Sequence, residues 1–470
     1  MDATPTPPPT PPTPPTPPAP PGAGAGGLPP SELRRTLRFR DLVVYGLLFI
    51  APMAPVGVYG VLDAKSHGAV ALVYVVATIA MGFTAVSYAQ MVRVVPRAGS
   101  VFAYARVGLG EGFGFIAGWM ALLDYLLIPA VAYVFSGIAL NALVPSVNQW
   151  IWTLLAVVVT TALNLAGVRL AAVVGLLVLA MEIAVLLVFV VAAVVELARH
   201  GAVRPLGSPF TGIGAFDFAA VLSAVSVAVL SFLGFDAIAS FAEEHQGPAA
   251  GVGRAVLFCL VLAGVLFVAQ TYLAGVLDPH SPQYLVAHPE AQGSAFYDTA
   301  EAAIGGWMHT TVAVSKAIGA AFAALAGQAA AGRLVFAMAR ERRLPRILGS
   351  ADGGVPRRAL LLAAVITMVA AVWGAEATNG LDHLTSIVNV GALSAFILLH
   401  ASVLGWYAVR NRSRAWLPHV VVPVLGIAVI AAVLYEATGQ ALLVGAVWLG
   451  LGVIALGVQR GTRGTEGQPR

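Results

Sequence analysis

The sequence predicts an all-α polytopic membrane protein of twelve transmembrane helices. Three observations carry that reading. Of 470 residues, 59% are hydrophobic and only 10% are charged, where roughly a quarter would carry charge in a soluble domain. Mean hydropathy is +0.86. Apolar runs of about 20 residues, the length that crosses a bilayer, recur along the whole chain. The lone Cys259 excludes an internal disulfide framework and a cysteine metal cluster. The formal charge of +4 fits the basic cytoplasmic loops of a membrane protein, so nucleic acid is not an expected partner.

Residues 1–33 are dominated by Pro, Thr, Ala and Gly, which cannot bury a core, and are expected to form a disordered cytoplasmic tail. They lack the basic-then-apolar pattern of a cleavable signal, so the first apolar segment stays as a membrane helix. A transporter domain is expected over 34–460, and a second cytoplasmic tail over 461–470. Its spans read as 42–62, 68–91, 111–140, 150–167, 172–197, 216–242, 254–277, 307–332, 359–374, 383–407, 417–435 and 438–458. With the N-terminus inside, cytoplasmic segments hold 22 of the 26 Lys and Arg, and external loops only Lys65, Arg199 and Arg204. The positive-inside rule therefore puts both termini in the cytoplasm.

Two spans are interrupted. The first, Gly46 to Gly60, carries Pro52, Pro55, Gly57 and Gly60 at mid-depth; proline removes a backbone donor and clashes with the preceding turn, so a break is expected near Pro55 to Tyr59. The sixth, Leu230 to Glu244, places Gly234 and Asp236 inside an otherwise apolar run. Glycine weakens a helix, and an acid in hydrocarbon is costly unless it faces protein or water. Asp236 then either caps the second half-helix or faces a cargo, and the two roles are compatible. The breaks stand five spans apart. If spans 1–5 and 6–10 are inverted repeats, they face each other at the midplane, where secondary transporters bind cargo. Between spans 2 and 3, the small residues around Pro96 to Tyr104 suit a re-entrant or tightly folded loop.

Ionisable groups within spans are candidates for function. Asp124, beside Tyr125, suits a cation through charge and cation-π attraction, or pairs with a neighbouring helix. Glu182 can take up and release a proton with the gradient, or hydrogen-bond between helices. Lys316 can neutralise one of these acids, replace a coupling cation, or snorkel toward the outer surface. His400 reads as a hydrogen-bonded core histidine rather than a relay. Glu243 and Glu244 either form an inner gate with Arg93 or Arg97, or mark a solvated helix end.

The broken first helix, Pro96-Arg-Ala-Gly-Ser-Val-Phe-Ala-Tyr104, Gly234-Phe-Asp236 with Glu243-Glu244, and Gly332-Arg-Leu-Val-Phe-Ala-Met-Ala-Arg-Glu-Arg-Arg-Leu-Pro345 resemble the amino acid-polyamine-organocation transporter family. Ala121 to Pro129, Ala142 to Ser146 and Val390 to Phe396 look most like its bacterial putrescine-importer branch. The resemblance implies a five-plus-five inverted repeat with two extra helices and uptake driven by a cation gradient. It departs at one position: where the importers carry an Asp in the first break, this chain has Gly57, and of the Gly-Ser-Gly turn of amino-acid permeases only Gly60 is matched.

The substrate-binding set is expected to be Pro55, Gly57, Tyr59, Gly60, Asp124, Tyr125, Phe232, Gly234, Phe235 and Asp236, with Glu182, Lys316, Glu243 and Glu244 in coupling or gating. Where sodium-coupled relatives of this architecture carry hydroxyls in span 8, Ala320 to Ala331 has no Ser or Thr, which favours protons over sodium. The expected function is a plasma-membrane importer of an amino acid or polyamine, with no cofactor or metal. The competing class is a transporter-like receptor or partner subunit that binds such a ligand without turnover. An enzyme is disfavoured, because no nucleophile, dyad or metal-ligand pair occurs.

Overall fold

The computed structural model describes residues 35–466 apart from 145, 215, 352–354, 378–379 and 436–438. The expected tail 1–33 lies outside the described residues, as do 467–470. The last helix, Gly439–Glu466, runs through the first six residues of the expected C-terminal tail.

Twelve helices among the described residues are long and apolar enough to cross a membrane. They are span 1 Phe39–Gly57, span 2 Val70–Val94, span 3 Glu111–Asn141, span 4 Gln149–Ala166, span 5 Val173–His200 and span 6 Phe218–Glu244, then span 7 Ala249–Leu277, span 8 Gly306–Arg340, span 9 Arg357–Glu376, span 10 His383–Arg410, span 11 Leu417–Tyr435 and span 12 Gly439–Gln459. Each overlaps one expected span, and span 8 differs most. Its apolar run stops at Arg333, yet the helix continues to Arg340 because the alanine-rich sequence favours helix and both arginines find acids on span 6. No β-strand occurs among the described residues.

Span 3 is the central post, packed against spans 8, 9 and 10 and the helix that precedes it. Spans 4, 5, 11 and 12 turn apolar side chains such as Leu177, Val191, Leu443 and Ile454 outward, as a bilayer requires. The protein is therefore a multi-pass membrane protein.

Two spans depart from α-helical geometry at mid-depth. In span 1, a helix Phe39–Ile50 ends at Ala51, a single 3-10 turn covers Ala54–Gly57, and a short helix resumes at Tyr59–Lys65. The departure thus starts earlier than Pro55, because Pro52 and Pro55 both lack the N–H that a continuing helix would use. In span 6, the helix Phe218–Ala228 tightens to 3-10 over Val229–Phe232, turns at Gly234, and continues as a 3-10 helix over Asp236–Glu244. Nine residues is long for that geometry, which is used mostly in short pieces and at hinges.

Gly234 answers two demands. Its φ is +113°, and a Cβ there would lie 2.7 Å from the ring of Phe49 on the first half of span 1. The loop before span 3 is also folded tightly: after Gly99 at φ +116°, a helix covers Ser100–Leu109 and packs on spans 3 and 10.

Gly234→Ala is expected to cost about 1–3 kcal/mol from backbone strain alone, read as a lower melting temperature of the detergent-purified protein. Gly82→Ala, where nothing lies within 4 Å of the added methyl, is the matched control and should melt with the wild type. Equal melting of the two variants would refute the left-handed turn at Gly234.

Candidate functional site

The broken stretch of span 1 leaves backbone groups that the bilayer cannot satisfy, and protein side chains meet them. Gln270 of span 7 donates from Nε2 to the Pro52 carbonyl at 2.9 Å. Lys316 of span 8 donates from Nζ to the carbonyls of Met53 at 3.3 Å and Ala54 at 3.4 Å. The ammonium also lies 5.4 Å from the centre of the Phe135 ring on span 3. At 5% exposure Lys316 does not snorkel; its stem runs inward to the carbonyls of the break.

Glu182 of span 5 is fully buried, and neither carboxylate oxygen has a hydrogen-bond partner. Its carboxylate packs on Gly319, three residues after Lys316, and its electrostatic partner is Lys316. The alternative of an interhelical hydrogen bond is therefore not met. A glycine at 319 is required, since any side chain there would occupy the space of the carboxylate.

Beside this pair, between spans 1, 3, 6 and 8, lies a cavity of about 60 Å³. Its walls are Phe49, Ile50, Ala51, Ala54 and Val58 of span 1, Ile128, Val131, Ala132 and Phe135 of span 3, Leu230, Ser231 and Leu233 of span 6, and Ala320 and Ala323 of span 8, with Lys316 the only charged residue. Ser231 supplies a hydroxyl, already paired with Tyr74 at 2.9 Å. A larger apolar groove of about 660 Å³ between spans 2 and 7 shares no residue with the breaks and contains exposed Ile79 and Val265. It has no charged group and presents a lipid-type surface.

The expected acid site lies apart from this cavity, with neither Asp124 nor Asp236 in its walls. Asp236 accepts from the Tyr125 hydroxyl at 2.6 Å, the Tyr88 hydroxyl at 3.4 Å and the Gly234 N–H at 3.2 Å. It does not cap the helix that follows; its side chain turns back to the break itself. Ser100, from the loop helix, lies 3.5 Å from both tyrosine hydroxyls and closes the cluster. Asp124 is buried, one carboxylate oxygen is unpartnered, and it feels the charge of Asp236 rather than of a basic residue on a neighbouring helix. Phe235 stacks edge-on to Tyr88, and Phe232 packs on Tyr74 and Phe267.

Further along span 6, Glu243 makes a two-pronged ion pair with Arg340 at 2.8 Å per contact and accepts from the Ala98 N–H at 3.2 Å. Glu244 pairs with Arg333, whose guanidinium lies 4.1 Å over the Phe241 ring. The partners are thus arginines of span 8, not Arg93 or Arg97, because span 8 outlasts its apolar run and reaches this level. The burial of Glu244 overturns the reading of a solvated helix end. Leu37, ahead of span 1, is stitched to the same place: its N–H donates to Glu244 O at 3.0 Å, and its carbonyl accepts from Gln246 N at 2.9 Å.

At the opposite end, Tyr59 and Gly60 are covered rather than open. Tyr59 donates to Asp278 at 2.9 Å. A Cβ on Gly60 would meet Ala295 and Gln292 of the segment joining spans 7 and 8 at 2.8 Å. Asp278 shares Arg204 with Asp63. Sequence reasoning missed Asp63, Asp278 and Gln270, and treated Arg204 only as loop charge. The available signal was Arg204 itself, one of the three basic residues expected in external loops, where the positive-inside rule disfavours them. His400 is as expected a core histidine, with Ser87 at 2.8 Å on Nδ1 and Thr84 at 3.2 Å on Nε2.

Comparison with known proteins agrees with this architecture. The profile of the family described as amino acid permease matches residues 42–455. The low-affinity putrescine importer PlaP of Escherichia coli K12 is 28% identical over 442 residues, covering 90% of this chain and 93% of that protein. The branched-chain amino acid permease BcaP of Lactococcus lactis subsp. cremoris is 28% identical over 451 residues, covering 89% and 93%. The methylthioribose transporter of Bacillus subtilis is 26% identical over 448 residues, covering 90% and 93%. A helical chain with twelve membrane-length segments, matched along nearly its whole length by this family, is a transporter and not an enzyme: it belongs to the amino acid permease family.

Proposed function

We propose that the protein is a secondary active importer of a small amine-bearing solute in the plasma membrane, with both termini cytoplasmic, and that it prefers a zwitterionic amino acid to a diamine. The observation that carries this reading is Lys316, the one charged residue in the wall of the cavity at the span 1 break. Its ammonium offers a partner for a carboxylate. The amine of the same solute is attracted to the C-terminal carbonyls of the half-helix Phe39–Ile50, the negative end of that dipole, whose last residues also line the cavity. A diamine meets a like charge there and no acid, and an unpaired ammonium in a dry site is heavily penalised. The relatives include both a putrescine importer and a branched-chain amino acid permease; the apolar walls favour the second kind of cargo.

At about 60 Å³ the cavity is far below the roughly 300 Å³ at which ligand pockets begin. Entry of a solute therefore requires the half-helices of spans 1 and 6 to move. The five-plus-five inverted repeat supplies that motion by alternating access at the midplane.

Protons drive the cycle in this reading, through Glu182 and Lys316. A proton on Glu182 removes the counter-charge of Lys316, which then depends on the substrate carboxylate for compensation, so proton and substrate are favoured together. The Asp124, Tyr125, Asp236 cluster holds the span 6 break and is a second place where a proton or an amine is stabilised.

The first test is uptake into proteoliposomes with an imposed pH gradient. The wild type should concentrate a neutral amino acid without sodium. Glu182→Gln should lose the gradient dependence, with accumulation reduced about tenfold or more, while equilibrium exchange persists. Uptake that needs sodium and ignores the pH gradient would overturn proton coupling.

The second test concerns Gly57. A Cβ there would lie 3.2 Å from the Phe135 ring and 3.5 Å from Lys316 Cε, so a new acid would pair with Lys316. Gly57→Asp should therefore lose amino-acid uptake severalfold. Only Gly57→Asp combined with Lys316→Met should gain sensitivity to putrescine in competition assays. A wild type that takes putrescine ahead of every amino acid tested would sink the substrate preference.

A further inference from the structure

We propose that Arg204 is the positioning residue of an outer gate, holding the outer half of span 1 closed over the cavity through Asp63 and Asp278. The inference rests on the alternating-access reading above and adds the element that must release for the site to open outward.

The geometry is that of a clasp between three separate parts of the chain. Arg204 sits in the segment between spans 5 and 6. It grips both oxygens of Asp63, on the short helix Tyr59–Lys65, at 2.8 and 2.9 Å. The same guanidinium reaches Asp278, just past the end of span 7, at 3.0 Å, and its Nε donates to the His280 carbonyl at 3.1 Å. The backbone is strapped as well, with the N–H groups of Val203 and Arg204 both donating to the Val276 carbonyl at 2.9 and 3.0 Å. Asp278 then passes the constraint to the cavity rim by accepting from the Tyr59 hydroxyl. Tyr59 is the first residue of the outer half-helix, and the residue before it, Val58, lines the cavity.

Burial separates this arginine from ordinary loop charge. Of the three basic residues assigned to this face, Lys65 and Arg199 are exposed, whereas Arg204 is 6% exposed and both acids are fully buried. Two carboxylates face one guanidinium, with the partly exposed His280 ring 3.2 Å from Asp278 and the Tyr59 hydroxyl as the other titratable neighbours. Loss of the guanidinium leaves two acids without compensation in a dry site, a penalty relieved by separating and admitting water or by taking up a proton. The outward-open arrangement supplies that water, so removing Arg204 displaces the population toward it.

The test measures access to Val58→Cys, in a Cys259→Ala background that removes the only native thiol, by a membrane-impermeant methanethiosulfonate reagent. With reagent on the outer face of right-side-out vesicles, Arg204→Gln should label about tenfold faster than the parent. Arg204→Lys keeps the charge but not the two-pronged grip and should fall between them. With reagent on the inner face of inside-out vesicles, labelling should stay level or slow down. Folded variants that label at the parental rate from outside would overturn the proposal. Faster labelling from both faces would overturn it equally, since that marks general loosening rather than a gate. If Arg204→Gln does not fold, Arg204→Lys decides alone by the same criteria. Labelling needs no substrate, so a protein found to carry no amine-bearing solute would defeat the function proposed above while leaving this gate testable, and the converse also holds.

Discussion

A peptide backbone that stops being helical inside hydrocarbon must have its freed carbonyls and N–H groups answered by protein, and the centre of this molecule is arranged around that requirement. Gln270 answers Pro52, Lys316 answers Met53 and Ala54, and Asp236 answers Gly234. Each donor or acceptor comes from a residue type that a bilayer helix carries only at a penalty. Polar groups deep in spans 6, 7 and 8 are thus explained first by the breaks they serve. Lys316 then acquires an acidic neighbour in Glu182, which packs on Gly319 one turn along the same span.

The two ends of the broken helices are sealed by different physics. Toward Glu243 and Glu244 the seal is side chain to side chain between two spans, with Arg333 and Arg340 stacked on Phe241 and Phe336. Toward Asp63 and Asp278 the cation comes from a connecting segment fastened by its own backbone. Buried ion pairs of either kind add little net stability over apolar packing, yet breaking one by removing a partner costs about 3–5 kcal/mol. Such pairs suit elements that must be firmly closed or cleanly open, with little in between.

Much of this was legible in the sequence. Apolar run length set all twelve spans, and the misfit of Gly234 and Asp236 marked the sixth as broken, because those signals are local. What was not legible was which face of one helix meets which face of another. Glu243 and Glu244 announced a need for cations, and Arg93 and Arg97, expected at the same end of their span, were the candidates; the partners are instead Arg333 and Arg340 near the far end of span 8. Arg204 stood out only as a basic residue where few were expected, and its partners Asp63 and Asp278 are named only when three distant segments converge. Lys316 was recognised as out of place, but whether a four-carbon stem runs to the surface or to a break depends on what packs beside it, and periodicity is silent on that.

The pairing of Leu37 with Glu244 and Gln246 has a kinematic consequence. Two backbone hydrogen bonds fasten the approach to Phe39–Ile50 to the end of Asp236–Glu244, so these two half-helices share a crossbar at one end while their breaks lie at the other. Pivots at Ala51 and Gly234 joined by such a link are not independent: a swing at one drags the other through a similar arc. The half-helices Phe39–Ile50 and Asp236–Glu244 thus form a single lever, and its stroke is limited by whichever of the two pivots reaches its backbone limit first.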